Sequence, residues 1–174
     1  MRRLLTIVCL YVLLLSLALP ALAIMSDSES SRPIPHDPDY AAGLAAFQRA
    51  DWQGVLEAMA GVVARRPWDD EAQNLMGFAY RKLGNYRQAL VHYQKALDLN
   101  PHHRGALEYL GETYLEMGCV VPAREILARL ETACKRIMGD SVHDTWKTGC
   151  EEWTELHAAI AAYREPAQPG CALD

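Results

Sequence analysis

The chain has 174 residues, 51% of them hydrophobic, and a formal net charge of −5. That is room for one domain with a tail, and enough apolar material for a core. No basic stripe runs through it, so the electrostatic footprint of a nucleic-acid binder is missing.

The N-terminus carries the pattern of an export signal. Arg2 and Arg3 form a positive n-region, Leu4 to Leu19 are almost wholly apolar, and Ala21-Leu22-Ala23 is an A-x-A cleavage site followed by polar SDSESS. Residues 1–23 therefore read as a secretory signal peptide. If uncleaved, Leu4 to Met25 is long enough to span a bilayer, and only then is a membrane a partner. Cys9 is preceded by Val8, not by a small residue, which argues against lipoprotein processing there. Cleavage after Ala23 removes two arginines and takes the charge from −5 to −7. The short, Arg-led leader is of bacterial type and addresses the chain to the periplasm, an oxidising compartment. Residues 24–35 begin a stretch rich in Ser, Pro and charge with no periodicity, and read as a flexible tether.

Periodicity starts after the tether. The best-formed stretch is GFAYRKLGNYRQALVHYQKALDLNP, with Gly77, Tyr80, Gly84, Tyr86, Ala89, Tyr93, Ala96 and Pro101. Gly77 and Ala89 are small enough for two helices to cross closely. Tyr80 and Tyr93 are knobs that fill the space between them. Gly84-Asn85 supplies a tight turn, and Pro101 ends the second helix. This spacing resembles the tetratricopeptide (TPR) repeat, a helix–turn–helix unit of 34 residues.

A shift of one such period needs no gap in either direction. Backwards, Gly77 falls on Gly43, Tyr86 on Trp52, Tyr93 on Met59, Ala96 on Val62 and Pro101 on Pro67. Forwards, Gly77 falls on Gly111, Tyr80 on Tyr114, Gly84 on Gly118, Ala89 on Ala123, Tyr93 on Leu127 and Ala96 on Leu130. The repeats are 36–69, 70–103 and 104–137. The outer two are degenerate: Ala46 and Val55 depart from the pattern in the first, Lys135 in the third. The expected helices cover 37–50, 52–66, 70–83, 86–98, 104–117 and 120–135. Stacking such hairpins buries a continuous core, which one repeat cannot do alone.

After a connector at 138–148, residues 149–164 form one more helix. Cys150, Trp153, Leu156 or His157, Ile160 and Tyr163 fall at three- and four-residue steps, and Glu151, Glu152 and Glu155 suit its N-terminal dipole. This is the cap that closes the stack. The tail, 165–174, holds two prolines and a glycine and cannot continue it. The expected fold is all-α: an α-solenoid of three helix–turn–helix repeats plus a C-terminal capping helix.

Four cysteines remain in the mature chain. Cys119 sits in the turn of repeat three and Cys134 about four helical turns away, roughly 20 Å off. A disulfide needs Cα atoms within about 7 Å, so these two cannot pair. The connector brings Cys150 back beside Cys134, and the cap finishes near Cys119, where the tail carries Cys171. Cys134–Cys150 is the favoured bridge. Cys119 and Cys171 either pair or stay free, and a thiol redox or metal-carrying protein using them is the alternative from another class. There is no C-x-x-C motif and no Cys/His metal-ligand spacing, so neither a metal nor a cofactor is expected. His102-His103 read as an exposed loop pair, His157 as packing, and His143 and Asp144 find no partner. No nucleophile motif or phosphate-cradling loop is present, so no catalytic residue is assigned and the chain is not expected to be an enzyme.

The family resemblance implies a function. In TPR proteins the first helices of successive repeats line a concave groove that binds peptides or helices of partner proteins. Carried onto this chain, the groove positions are Asp37, Tyr40, Leu44, Phe47 and Gln48; then Glu71, Asn74, Phe78, Arg81 and Lys82; then Gly105, Glu108, Glu112, Leu115 and Glu116. The groove core is expected at Tyr40, Leu44, Phe47, Asn74, Phe78, Arg81, Lys82, Glu108, Glu112 and Leu115. The chaperone-binding subfamily grips a C-terminal carboxylate with Lys and Asn where this chain has Tyr40 and Leu44, so that clamp is missing. The cysteine-bracketed connector followed by CEEWTELHAAIAAY also resembles a group of small exported bacterial TPR proteins, with a longer connector here. The expectation is an exported, non-catalytic adaptor or assembly factor with a protein partner. Its alternative is a membrane-anchored assembly factor of an envelope complex.

Overall fold

A computed structural model describes residues 37–138, 147, 149–164 and 171. The signal peptide and tether lie outside the described residues, as do most of the connector, with His143 and Asp144, and most of the tail. Seven helices are formed among the described residues: α1 Pro38–Gln48, α2 Trp52–Arg65, α3 Asp70–Lys82, α4 Tyr86–Leu99, α5 Arg104–Glu116, α6 Val120–Met138 and α7 Glu151–Ala162. Consecutive helices pack as antiparallel hairpins, α1 with α2, α3 with α4 and α5 with α6, and each hairpin packs on the next. No helix among the described residues is long and apolar enough to cross a membrane.

Local chemistry sets the helix boundaries. Asp37, Asp51, Asp69 and Asn85 each accept a backbone N–H of the first turn of the helix they precede. A short polar side chain does this best at an N-cap. His103 takes the same role for α5, its Nδ1 accepting from Ala106 N at 3.2 Å. It is a half-buried cap, therefore, and not the exposed loop residue expected. The turn residues obey the repeat as well: Ala50, Gly84 and Gly118, 34 apart, all take positive φ, at 54°, 74° and 79°. Two of the three are glycine, which adopts this conformation without strain.

Two buried clusters share the interior. One joins Tyr40, Ala46, Val55, Leu56, Met59 and Val62 to Ala72, Leu75, Met76 and Ala79. The other runs from Ala89, Tyr93 and Leu97 through Leu107, Leu110, Ile126 and Leu130 to Leu156 of the cap. Tyr80 packs against both and makes the core continuous. Gly77 allows the close crossing read from the sequence, since a β-carbon there would meet the Tyr93 ring at 2.6 Å. Gly43 stands in the same relation to Met59.

The third repeat breaks this pattern. A β-carbon at Gly111 would meet Leu156 of α7 first, at 2.5 Å, and not Leu127, the residue that repeat arithmetic puts there. Leu156 is fully buried while its neighbour His157 is exposed and stacks on Trp153. Cys134–Cys150 and Cys119–Cys171 are disulfide-bonded, with Cα–Cα distances of 6.0 Å and 4.6 Å. The first ties α6 to the residue that opens α7. The second ties the turn between α5 and α6 to the tail.

Candidate partner-binding groove

The first helices α1, α3 and α5 carry the groove positions. Their side chains meet across helices at a constant offset. Phe47 of α1 contacts Phe78 of α3 with centroids 5.0 Å apart, and Phe78 contacts Tyr109 of α5 at 4.8 Å. Each step is 31 residues, one helical turn short of the repeat. Trp52 closes the α1 end, edge-on to both Phe47 and Phe78 at 5.6 Å. The result is an aromatic row crossing all three hairpins, with Phe47 and Phe78 half-buried. Edge-to-face packing of this kind holds the rings in fixed orientation. The Lys82 ammonium lies 5.1 Å from the centre of the Phe78 ring.

Arg81 begins a second diagonal. Its Nη1 donates to Glu112 at 2.5 Å, while Nε and Nη2 both donate to Oε1 of Glu116 at 3.1 Å and 2.7 Å. Arg81 is only 8% exposed. Burial alone would lower its pKa, but the two carboxylates hold it above the ordinary arginine value. The expected groove had Arg81 at its centre with the glutamates toward one end. The structure joins them instead, so the Arg81 charge is already spent.

Asn74 and Glu108 lie deep, each 4% exposed. Asn74 donates to Glu71 at 3.3 Å, and its Oδ1 has no protein partner. Glu71 also receives Nε2 of His103 at 2.9 Å. Burial pulls the His103 imidazole down, yet the hydrogen bond and charge of Glu71, with Asp70, raise it above the usual histidine value. Glu108 is pushed up to about 9, first by burial, then by its hydrogen bond to Glu155 and the charge of Glu112. The Glu108 carboxyl is therefore held in its neutral form to higher pH than an ordinary carboxylate.

Tyr40 is a correction. It is 5% exposed and belongs to the first core cluster, beneath the guanidinium of Arg66. The ring shares a buried cluster with Met59 and Val62 of α2 and Leu75 and Met76 of α3, so the first two hairpins take it into their core. Leu44, by contrast, is 39% exposed, and Leu115 is half-buried.

The cap contributes what the sequence reading did not assign. α7 packs against both α5 and α6. Contacts along α5 and α7 advance together: Arg104 with Glu152, Glu108 with Glu155, Gly111 with Leu156. The two helices thus run parallel, and α7 stands where the first helix of a fourth repeat would. A cleft of about 340 Å³ opens between α3, α5 and α7, lined by Arg81, Glu112, Leu115, Glu116, Ala159 and Tyr163. Tyr109, Ala159 and Tyr163 are site residues missed from the sequence. The signal for Ala159 and Tyr163 was their four-residue spacing on the cap helix. Tyr109 lay one 31-residue step beyond Phe78.

The tetratricopeptide repeat family model matches residues 71–103. No curated protein matches at a significant level. Among solved structures the chain is similar to the TPR2B domain of yeast Sti1, solved as a pHsp70 complex. The identity is 19% over 73% of this chain and 96% of that one, with a TM-score of 0.62. It is also similar to PcrH in complex with the chaperone-binding region of PopD, at 18% identity over 71% and 90%, TM-score 0.59. SycD of Yersinia enterocolitica, bound to a peptide of the translocator YopD, gives 13% over 71% and 90%, TM-score 0.58. The family model matches the central repeat, and three hairpins follow one 34-residue register, so the chain has the fold of a tetratricopeptide-repeat solenoid.

Proposed function

We infer that this protein is an exported, non-catalytic adaptor or assembly factor that binds a segment of a partner protein on the face made by α1, α3, α5 and α7. The observation that carries this reading is the aromatic row Phe47–Phe78–Tyr109, which crosses three helices and leads to an open cleft. Large, rigid side chains on a preformed concave surface anchor partners at low entropic cost. The solved structures of similar fold are complexes with pHsp70, with the chaperone-binding region of PopD and with a peptide of YopD, which supports this reading. Export is supported by the leader sequence and by two disulfides in a small chain, which fit an oxidising compartment. A chaperone-tail clamp is not supported, since Tyr40 is core and Leu44 has no polar group to offer a carboxylate.

Site-specific photocrosslinking in the native host tests the reading. A photoreactive residue at Lys82, on the groove, is expected to trap a discrete adduct that Phe78→Ala abolishes. The same probe at Val91, exposed on α4, is expected to trap none. Equal adducts at both positions, indifferent to Phe78→Ala, would refute the groove.

A further inference from the structure

The walls of the cleft are unequal in charge. Arg81 brings one positive charge to two carboxylates, Glu112 and Glu116. Beside them the buried Glu108 faces Glu155 of α7, and neither brings a cation. At the head of the pair of helices Arg104 and Glu152 cancel. The cleft lining therefore holds one carboxylate more than it has cations. The cleft also presents Tyr163, whose Oη is buried and has no protein partner. Next to it the aromatic row carries an ammonium, that of Lys82 on Phe78, so a cation is already at home on this surface.

The geometry points to a partner of definite chemistry: a cationic segment of another protein. Its aliphatic or aromatic side chain lies along Phe47, Phe78 and Tyr109, and its lysine or arginine enters the cleft among Glu112, Glu116 and Tyr163. This rests on the reading of the same face as the partner site. A lysine or arginine there supplies the countercharge that Arg81 cannot, and donates to the Tyr163 oxygen and to carboxylates in charge-assisted bonds. An acidic segment would add a further carboxylate to a lining that already sets two against one guanidinium, a like-charge juxtaposition that suppresses binding.

The test uses the full chain with its disulfides intact, immobilised and panned against a random phage-displayed peptide library. Enriched peptides are then synthesised and titrated calorimetrically at low and high salt against the wild type, Phe78→Ala and Glu116→Gln. Glu116 lines the cleft and is exposed, so its substitution tests charge without opening the core. The expected peptides combine an apolar anchor with Lys or Arg. They bind about tenfold more weakly to each variant, and reversing the basic residue to Glu eliminates binding. Acidic or uncharged peptides that depend on Phe78 but not on Glu116 would overturn the cationic assignment and leave the groove intact. No enrichment, or peptides indifferent to both substitutions, would overturn both.

Discussion

Gly111 of α5 and Leu156 of α7 are in direct apposition: a β-carbon on the first would lie 2.5 Å from Cδ2 and 2.8 Å from Cδ1 of the second. Leu156 is fully buried, so it has no free rotamer to retreat into. Gly111→Ala is therefore expected to destabilise by about 1–3 kcal/mol through overpacking, despite alanine's advantage of up to about 1 kcal/mol in helices. Leu156→Ala should cost about 2–5 kcal/mol by leaving a cavity. Urea unfolding of the oxidised protein reads both. A stabilised Gly111→Ala variant would mean that the cap is not seated on α5.

Ala50 offers the opposite experiment. It holds φ at 54° where the other two repeats place Gly84 and Gly118. A left-handed conformation costs a residue with a β-carbon about 1–2 kcal/mol, and glycine gives back up to about 1 kcal/mol in backbone entropy. Ala50→Gly should raise stability by about 0.5–1 kcal/mol with no change in the denaturant slope. The mirror substitution Gly84→Ala should lower it by a similar amount.

Glu108 links stability to pH. Its folded pKa of about 9 stands above the ordinary 4.5, chiefly through burial and then through Glu155. A carboxyl raised in this way contributes stability that is complete below about pH 4.5 and is lost as pH rises toward 9. Glu108→Gln keeps a neutral donor toward Glu155 and does not titrate. It should match the wild type near pH 4.5 and exceed it by about 1–3 kcal/mol between pH 7 and 9. His92 works in the other sense. Its Nδ1 donates to Oε1 of Gln73 at 2.8 Å, its ring stacks on Tyr80, and burial, with the charge of Lys95, lowers it to about 4. Its contribution is present above about pH 6.5 and is lost as pH falls through 4. Parallel melts of Glu108→Gln and the wild type across pH separate the two groups.

The bridge Cys134–Cys150 spans 16 residues and Cys119–Cys171 spans 52. In the chain-entropy model they contribute about 3 and about 4 kcal/mol. Replacing Cys134 and Cys150 together by serine should lower stability by about that first amount and raise hydrogen exchange most in α7. Because α7 supplies Ala159 and Tyr163 to the cleft, the same variant should bind a groove ligand more weakly. Unchanged exchange in α7 would show that packing alone holds the cap.

Local rules made most of the architecture legible. Asp51, Asn85 and Asp69 cap helices, Gly84 and Gly118 turn the chain, and Gly77 accepts Tyr93. Each depends on neighbours within one repeat, where a 34-residue register locates every contact. The cysteine pairing followed from the same topology. Repeat positions also named Phe47, Phe78, Arg81 and Glu112, but not how they meet.

What only the tertiary structure decided lies between helices. The superhelical offset sets Arg81 against Glu112 and lines up Phe47, Phe78 and Tyr109, at 31 residues and not at the repeat length. Packing against α2 and α3 takes Tyr40 into the core. The cap follows a connector of no fixed period, so nothing in the sequence numbering relates Leu156 to Gly111 or Glu155 to Glu108. Close packing does: a glycine notch accepts one buried leucine, two cystine bridges hold the chain to it, and a helix read as a lid becomes the fourth wall of the groove.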